Sequence, residues 1–166
     1  PGKVTVRIFS QPERIMTMAV SDLLKKMGRS VFSMESDRTV DDAINALTAN
    51  KVSALSVTEN TRPVGIFAER DVLRTYLRDK ARSFADVRLG DAMTATLITA
   101  KPDDKIDTAM NVMLKAGIGH LPVIENDKVI GMLTASDLVE YRLTSLDDEM
   151  HHLKEYIADL HDAGLD

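Results

Sequence analysis

The chain has 166 residues, 44% of them hydrophobic and 28% charged, with a net charge of −5. That is an ordinary globular composition, long enough for a real core in one domain or two tightly packed ones. An acidic chain without a lysine/arginine run lacks the electrostatic footprint for a nucleic-acid backbone or an anionic lipid surface, so neither is expected as a partner. There is no cysteine, which removes disulfides, thiolate nucleophiles and thiolate metal sites. No apolar run approaches a membrane span, and the first twenty residues lack a secretory h-region, so a cytoplasmic location is the expectation. The chain begins at Pro1 rather than Met, which reads as a missing or altered natural start.

Val4, Val6 and Ile8 alternate with polar residues as an edge strand does, and residues 15–20 are apolar enough to dock. Val31–Ser33 reads as a short strand. Thr39-Val-Asp-Asp42 has the hydroxyl-x-x-acid spacing of a helix start. Val40, Ala43, Ile44 and Leu47 then mark one face of a helix running to about Asn50. Leu55–Val57 and Val64–Phe67 flank the turn-capable stretch Glu59-Asn60-Thr61-Arg62, which predicts a hairpin, and Glu69 to about Arg82 reads as helix. Residues 82–90 connect to Asp91-Ala92-Met93, whose counterpart earlier in the chain is Asp22-Leu23-Leu24.

The same order then recurs. Leu97–Thr99 reads as a strand, and Ile106, Ala109, Met110 and Met113 as a helix face. His120–Ile124 and Val129–Leu133 form a hairpin around Asn126-Asp127, and a helix starts near Ala135. Sliding residues 31–73 forward by 66 positions superposes the pattern without a gap, with identities such as Asp37/Asp103, Leu55/Leu121, Val57/Val123, Gly65/Gly131 and Asp71/Asp137. A unit of this length is too long for a solenoid repeat and cannot bury its apolar face alone. Two of them pack into one body with a pseudo-twofold axis, and clefts between similar halves are where small ligands tend to sit.

The last helix differs. Val139, Leu143, Leu146, Met150, Leu153, Ile157 and Leu160 are spaced alternately four and three apart, an unbroken heptad seam. An apolar stripe of this length marks an interaction surface, here for a partner subunit, unless it folds back on residues 1–20. Asp148, Glu149, His151, His152 and Glu155 fall off that seam and read as a solvated face rather than a metal site.

Asp91-Ala-Met93, Ile118-Gly-His-Leu-Pro-Val-Ile124 and Gly131-Met-Leu-Thr-Ala-Ser-Asp137 resemble a CBS (cystathionine β-synthase type) domain, and Gly65-Ile-Phe-Ala-Glu-Arg-Asp71 is similar to the same closing motif in a first copy. The stretch 21–141 thus resembles a tandem CBS pair, a Bateman module of the stand-alone bacterial type. The resemblance implies an α/β (α+β) fold of two pseudo-symmetric βαββα repeats with a long C-terminal helix. Its divisions are an N-terminal extension 1–20, repeat 1 over 21–82, repeat 2 over 83–141 and the seam-bearing helix 142–166. It also implies clefts for an adenosine-containing ligand (AMP, ADP, ATP, S-adenosylmethionine or NAD) acting as regulator, with no cofactor required and no catalysis.

Within that frame, Thr134 and Asp137 stand where a strand becomes a helix, and a helix start favours an anion. Asp137 can accept from both hydroxyls of a ribose diol, and Thr134 can bond a ribose or phosphate oxygen. With no ligand, the same pair simply caps its helix. His120 stands where the family often carries a basic residue beside phosphates, and Thr99 where the backbone faces adenine. Ile118 and Pro122 would wall the base. In the first copy Ala68 replaces Thr134 and Ala54 replaces His120, while Asp71 persists beside Arg70, a candidate phosphate partner. Ser33 is the equivalent of Thr99. The second-copy site is therefore expected to be the better one. The reading is a homodimeric sensor passing its state to a protein partner. The alternative is a ligand-free dimerisation scaffold. No Ser–His–Asp order, paired carboxylates or Gly-rich phosphate loop supports an enzyme.

Overall fold

A computed structural model describes residues 18–162; the edge strand expected at Val4, Val6 and Ile8 lies outside them. The order is α1 (Val20–Met27), β1 (Ser33–Glu35), α2 (Val40–Asn50), β2 (Ala54–Glu59), β3 (Arg62–Ala68) and α3 (Glu69–Arg78). There follow α4 (Leu89–Ala92), α5 (Ile106–Ala116), β4 (His120–Glu125), β5 (Lys128–Thr134) and α6 (Ala135–Asp162). The fold is mixed α+β with two matching halves, as expected. No described helix is long and apolar enough to cross a membrane.

Each half turns on a hairpin whose two corner residues have positive φ: Asn60 and Thr61 at 50° and 69°, Asn126 and Asp127 at 50° and 59°. This is the turn whose twist matches that of the flanking strands. At the start of α2 the Thr39 hydroxyl accepts from the Asp42 N–H at 3.1 Å, and the Asp42 carboxylate accepts from the Thr39 N–H at 3.2 Å. The Thr39 backbone N–H, and then Arg38, hold the Asp42 carboxyl below the usual carboxylate range. The equivalent position in the second copy is Lys105, whose side chain has no acceptor to offer. Thr39→Ala is accordingly expected to lower stability by about 1 kcal/mol, read as a shift in the urea midpoint at constant slope.

The two halves differ at their first strand. In the first, β1 runs parallel to β2, completing a three-stranded sheet, and sits at Ser33–Glu35 rather than the expected Val31–Ser33. In the second, the strand expected at Leu97–Thr99 shrinks to one parallel bridge, Ala100 to Val123. Proline explains this. The first-copy ladder is closed by Ser56 N–H to Phe32 O and Ser36 N–H to Thr58 O, both at 2.9 Å. The residues 66 positions on are Pro122 and Pro102, and neither has an N–H to give. Helix α3 also stops at Arg78, short of the expected Arg82, where the chain turns with Arg82 N–H on Asp79 O.

The halves exchange their lead-in segments. Val20 and Leu23 of α1 are buried in the second half's core with Ile106, Leu121, Val123 and Leu133. Val87, Leu89 and Ala92 are buried in the first half's core with Val40, Leu55, Val57 and Phe67. Backbone bonds fix both crossings: Ile106 N–H to Met18 O (3.1 Å), and Val40 N–H to Val87 O (2.9 Å). The paired glycines make room for them. A Cβ at Gly131 would lie 2.3 Å from a Leu24 methyl, and one at Gly65 2.3 Å from the Met93 sulfur. What comes close to Gly131 is thus a side chain of α1. Between the halves Ala54, Ile66 and Ala68 pack with Leu97 and Met132.

Candidate nucleotide clefts between the halves

The exchange creates two pseudo-equivalent clefts, each built from the closing strand and helix of one half and the opening segment of the other. The larger, of 370 Å³, is lined by Arg29–Phe32, Asn50–Ala54, Leu24, Met27, His120, Met132 and Thr134. The smaller, of 30 Å³, is lined by Ile66, Ala68, Arg70, Asp71, Thr94, Thr96–Ile98, Ile118, His120 and Pro122. Small-molecule sites run from about 300 Å³ upward, so the first has room for a ligand and the second is nearly closed.

This geometry rearranges the residues that the sequence grouped together. Thr134 faces the larger cleft, across from first-half residues Val52–Ala54. Ile118 and Pro122 line the smaller cleft with Arg70 and Asp71. They are therefore apart from Thr134, not beside it as one second-copy site required. His120 borders both. Thr99 and Ser33 are exposed and line neither cleft: Ser33 is turned outward by the alternation of β1, and Thr99 lies outside any strand, next to the single bridge at Ala100.

The two carboxylates are held differently. Asp71 is 1% exposed. One of its oxygens accepts from the Ala68 N–H at 2.8 Å, and the other meets the Thr94 hydroxyl at 3.1 Å and the Arg74 guanidinium at 2.8 Å. It is saturated by its own half. Asp137 accepts from the Thr134 N–H at 2.7 Å, and its own N–H donates to the Thr134 hydroxyl at 3.3 Å. The helix-capping role is thus real. Its other oxygen is paired with Arg29, a half-exposed arm on the segment after α1. The position matching Arg74 in the second half is Glu140, so no local cation closes that oxygen.

Sequence reasoning missed Arg29, Lys51 and Ser53. Lys51 left a signal: it ends α2 at φ 52°, where the second half has Gly117 at φ 63°. A non-glycine residue held in the left-handed region beside a cleft points to a use for its side chain. Ser53 Oγ and His120 Nε2 lie 2.7 Å apart, joining the halves at the boundary of the two clefts. Burial, and then the nearby Arg70 charge, push the His120 imidazole below its ordinary 6.5, against the opposing pull of Glu69, Asp71 and Asp137. The folded chain therefore binds fewer protons here than the unfolded one. This stabilisation is complete above about pH 6.5 and is lost as pH falls through the lowered value. His120→Gln is expected to flatten the decline of the urea midpoint between pH 7.5 and pH 5.

A family model described as CBS domain matches residues 20–78 and again residues 89–144. The "CBS domain-containing protein CBSX3, mitochondrial" of Arabidopsis thaliana is 35% identical over 147 residues, covering 83% of this chain and 71% of that protein. Among solved structures, the CBS-domain containing protein ATU1752 from Agrobacterium tumefaciens aligns with a TM-score of 0.70 and 29% identity, over 75% of this chain and 99% of that one. CBSX2 in complex with AMP aligns with a TM-score of 0.61 and 25% identity, over 76% of this chain and 96% of that one. With both halves matched by one family model and a solved CBS-domain protein aligning over 75% of the chain, the chain belongs to the CBS-domain family and carries two copies of that domain in tandem.

Proposed function

We propose that the chain is a regulatory module that binds one adenosine nucleotide in the larger cleft and signals by shifting the placement of its two halves. The observation that carries this reading is a 370 Å³ cleft shared by both halves and lined by Arg29, whose guanidinium is paired with Asp137 on the adjoining groove between α1 and α6. A ribose diol would take the outward oxygen of Asp137, releasing Arg29 to the phosphate, with Lys51 on the same wall. Apolar Val31, Val52, Ala54 and Met132 would hold the base. Two exposed cations on the cleft wall favour a phosphorylated ligand such as AMP, ADP or ATP over uncharged adenosine. The AMP complex of CBSX2, a relative in fold and sequence, supports the same class. Because the wall is drawn from both halves, binding energy depends on their relative placement, which is what a ligand needs in order to shift an equilibrium. The smaller cleft, of only 30 Å³, stays empty in this reading.

A thermal-shift panel of AMP, ADP, ATP, NAD and S-adenosylmethionine tests it. A ligand at 100 times its dissociation constant adds about 2.7 kcal/mol. No stabilisation by any of the five at millimolar concentration would leave the scaffold reading standing instead. An anion beside His120 raises its pKa, so phosphate-bearing ligands are expected to bind more tightly at pH 6 than at pH 8. Calorimetry at the two pH values reads this directly, with His120→Gln as the variant that removes the difference.

A further inference from the structure

Helix α6 runs 28 residues, about 42 Å at ~1.5 Å per residue. Only its beginning is buried in the body, through Leu138 and the half-buried Tyr141. Val139, Leu143, Leu146, Met150, Leu153 and Ile157 form a continuous stripe, exposed from 42% at Leu146 to 60% at Leu143. At its near end the stripe meets a 550 Å³ apolar groove against α5, bordered by Met110 and the exposed Leu114.

We propose that this stripe is the seam of a parallel, in-register two-stranded coiled coil with a second copy of the chain. The charges that flank it choose the occupant and the direction. With Leu143, Met150 and Ile157 at a positions and Val139, Leu146, Leu153 and Leu160 at d, the g positions hold Arg142 and Glu149 and the following e′ positions hold Asp147 and Lys154. In a parallel pair Arg142 faces the partner's Asp147, and Glu149 faces the partner's Lys154. Both contacts are attractive, and each occurs twice by symmetry. Two antiparallel registers each keep six of the seven seam residues in contact. One sets Glu149 against the partner's Glu149 and Asp147 against the partner's Asp147. The other gains Asp147 against the partner's Lys154 but leaves Glu149 opposite the uncharged Tyr156, so neither satisfies both charged flanks as the parallel pair does. Within one chain Arg142 reaches Glu149 only at 3.9 Å, along the same flank, and is free to turn outward. Leucine at three of the four d positions is also what a two-stranded parallel seam uses.

Sedimentation equilibrium of the full chain is expected to give twice the 18.3 kDa chain mass. Leu146→Glu with Leu153→Glu, both at exposed positions, is expected to give the single mass with unchanged far-ultraviolet circular dichroism. Glu149→Lys is expected to raise the dimer dissociation constant roughly tenfold, and adding Lys154→Glu to restore it. Direction is read with Leu160→Cys in this cysteine-free chain. Parallel helices bring the two thiols together and cross-link on oxidation, whereas antiparallel ones hold them about 25 Å or more apart along the axis. A monomeric full chain, a dimer that survives the double glutamate variant, or failure to cross-link would each overturn the proposal. Ligand-induced thermal shifts persisting in the monomeric variant would separate this interface from the nucleotide cleft.

Discussion

Asp137→Asn is expected to weaken nucleotide binding roughly 10- to 100-fold while leaving the free protein folded. The amide keeps an acceptor for the Thr134 N–H, so the start of α6 remains capped. What it loses is the charge that would grip two ribose hydroxyls, and hydrogen bonds to a charged group are worth about 1.5–3 kcal/mol. The stabilisation by AMP, about 2.7 kcal/mol at 100 times the dissociation constant, would raise the melting temperature of a chain this size by roughly 5–10 °C and should fall to about 0.4–1.4 kcal/mol in the variant at the same concentration. Asp71→Asn is the matched control. Its carboxylate is already spent on Ala68, Thr94 and Arg74, so the variant should destabilise the fold and leave nucleotide affinity as it was. Equal loss of affinity in both variants would move the site to the smaller cleft.

Leu89→Ala is expected to cost about 2–5 kcal/mol, the range for deleting a buried leucine, because Leu89 is fully buried. The location of the damage is the sharper test. Leu89 lies in sequence beside the second half but packs in the first core with Val40, Leu55 and Phe67. Native-state hydrogen exchange should therefore accelerate in β2 and β3 before β4 and β5. Faster exchange confined to β4 and β5 would contradict the exchanged arrangement.

The repeat, its element order and the family were legible because they rest on local signals: hydrophobic period, turn residues and two motifs in register. The helix pattern from Val40 to Leu47 and the corners at Asn60 and Asn126 emerged as read. The first strand of the second half did not, since the two prolines that truncate it act through bonds to residues far away in sequence. The site was legible only in its parts. Thr134 and His120 do line clefts between the halves, and Asp71 does sit beside Arg70, whereas Asp137 lines the neighbouring groove between α1 and α6 and meets the larger cleft only through its pair with Arg29. The partition of Ile118 and Pro122 from Thr134 follows from the crossing of α1 and α4, and no spacing along one copy encodes that. Arg29 was invisible for the same reason: its partner lies 108 residues away.

That crossing also bears on how the chain is made. As it leaves the ribosome, the first core lacks Leu89 and Ala92 until the connection after α3 has emerged. Helix α1, synthesised first, has no apolar shelter until β4 and β5 arrive. Neither half can settle as an independent early intermediate, so nascent chains expose unfinished apolar surface until nearly all of both copies is out, a window in which holdase chaperones would act. The same interdependence forbids separating the copies as autonomous fragments: expressed apart, each would carry the other's helix and miss its own.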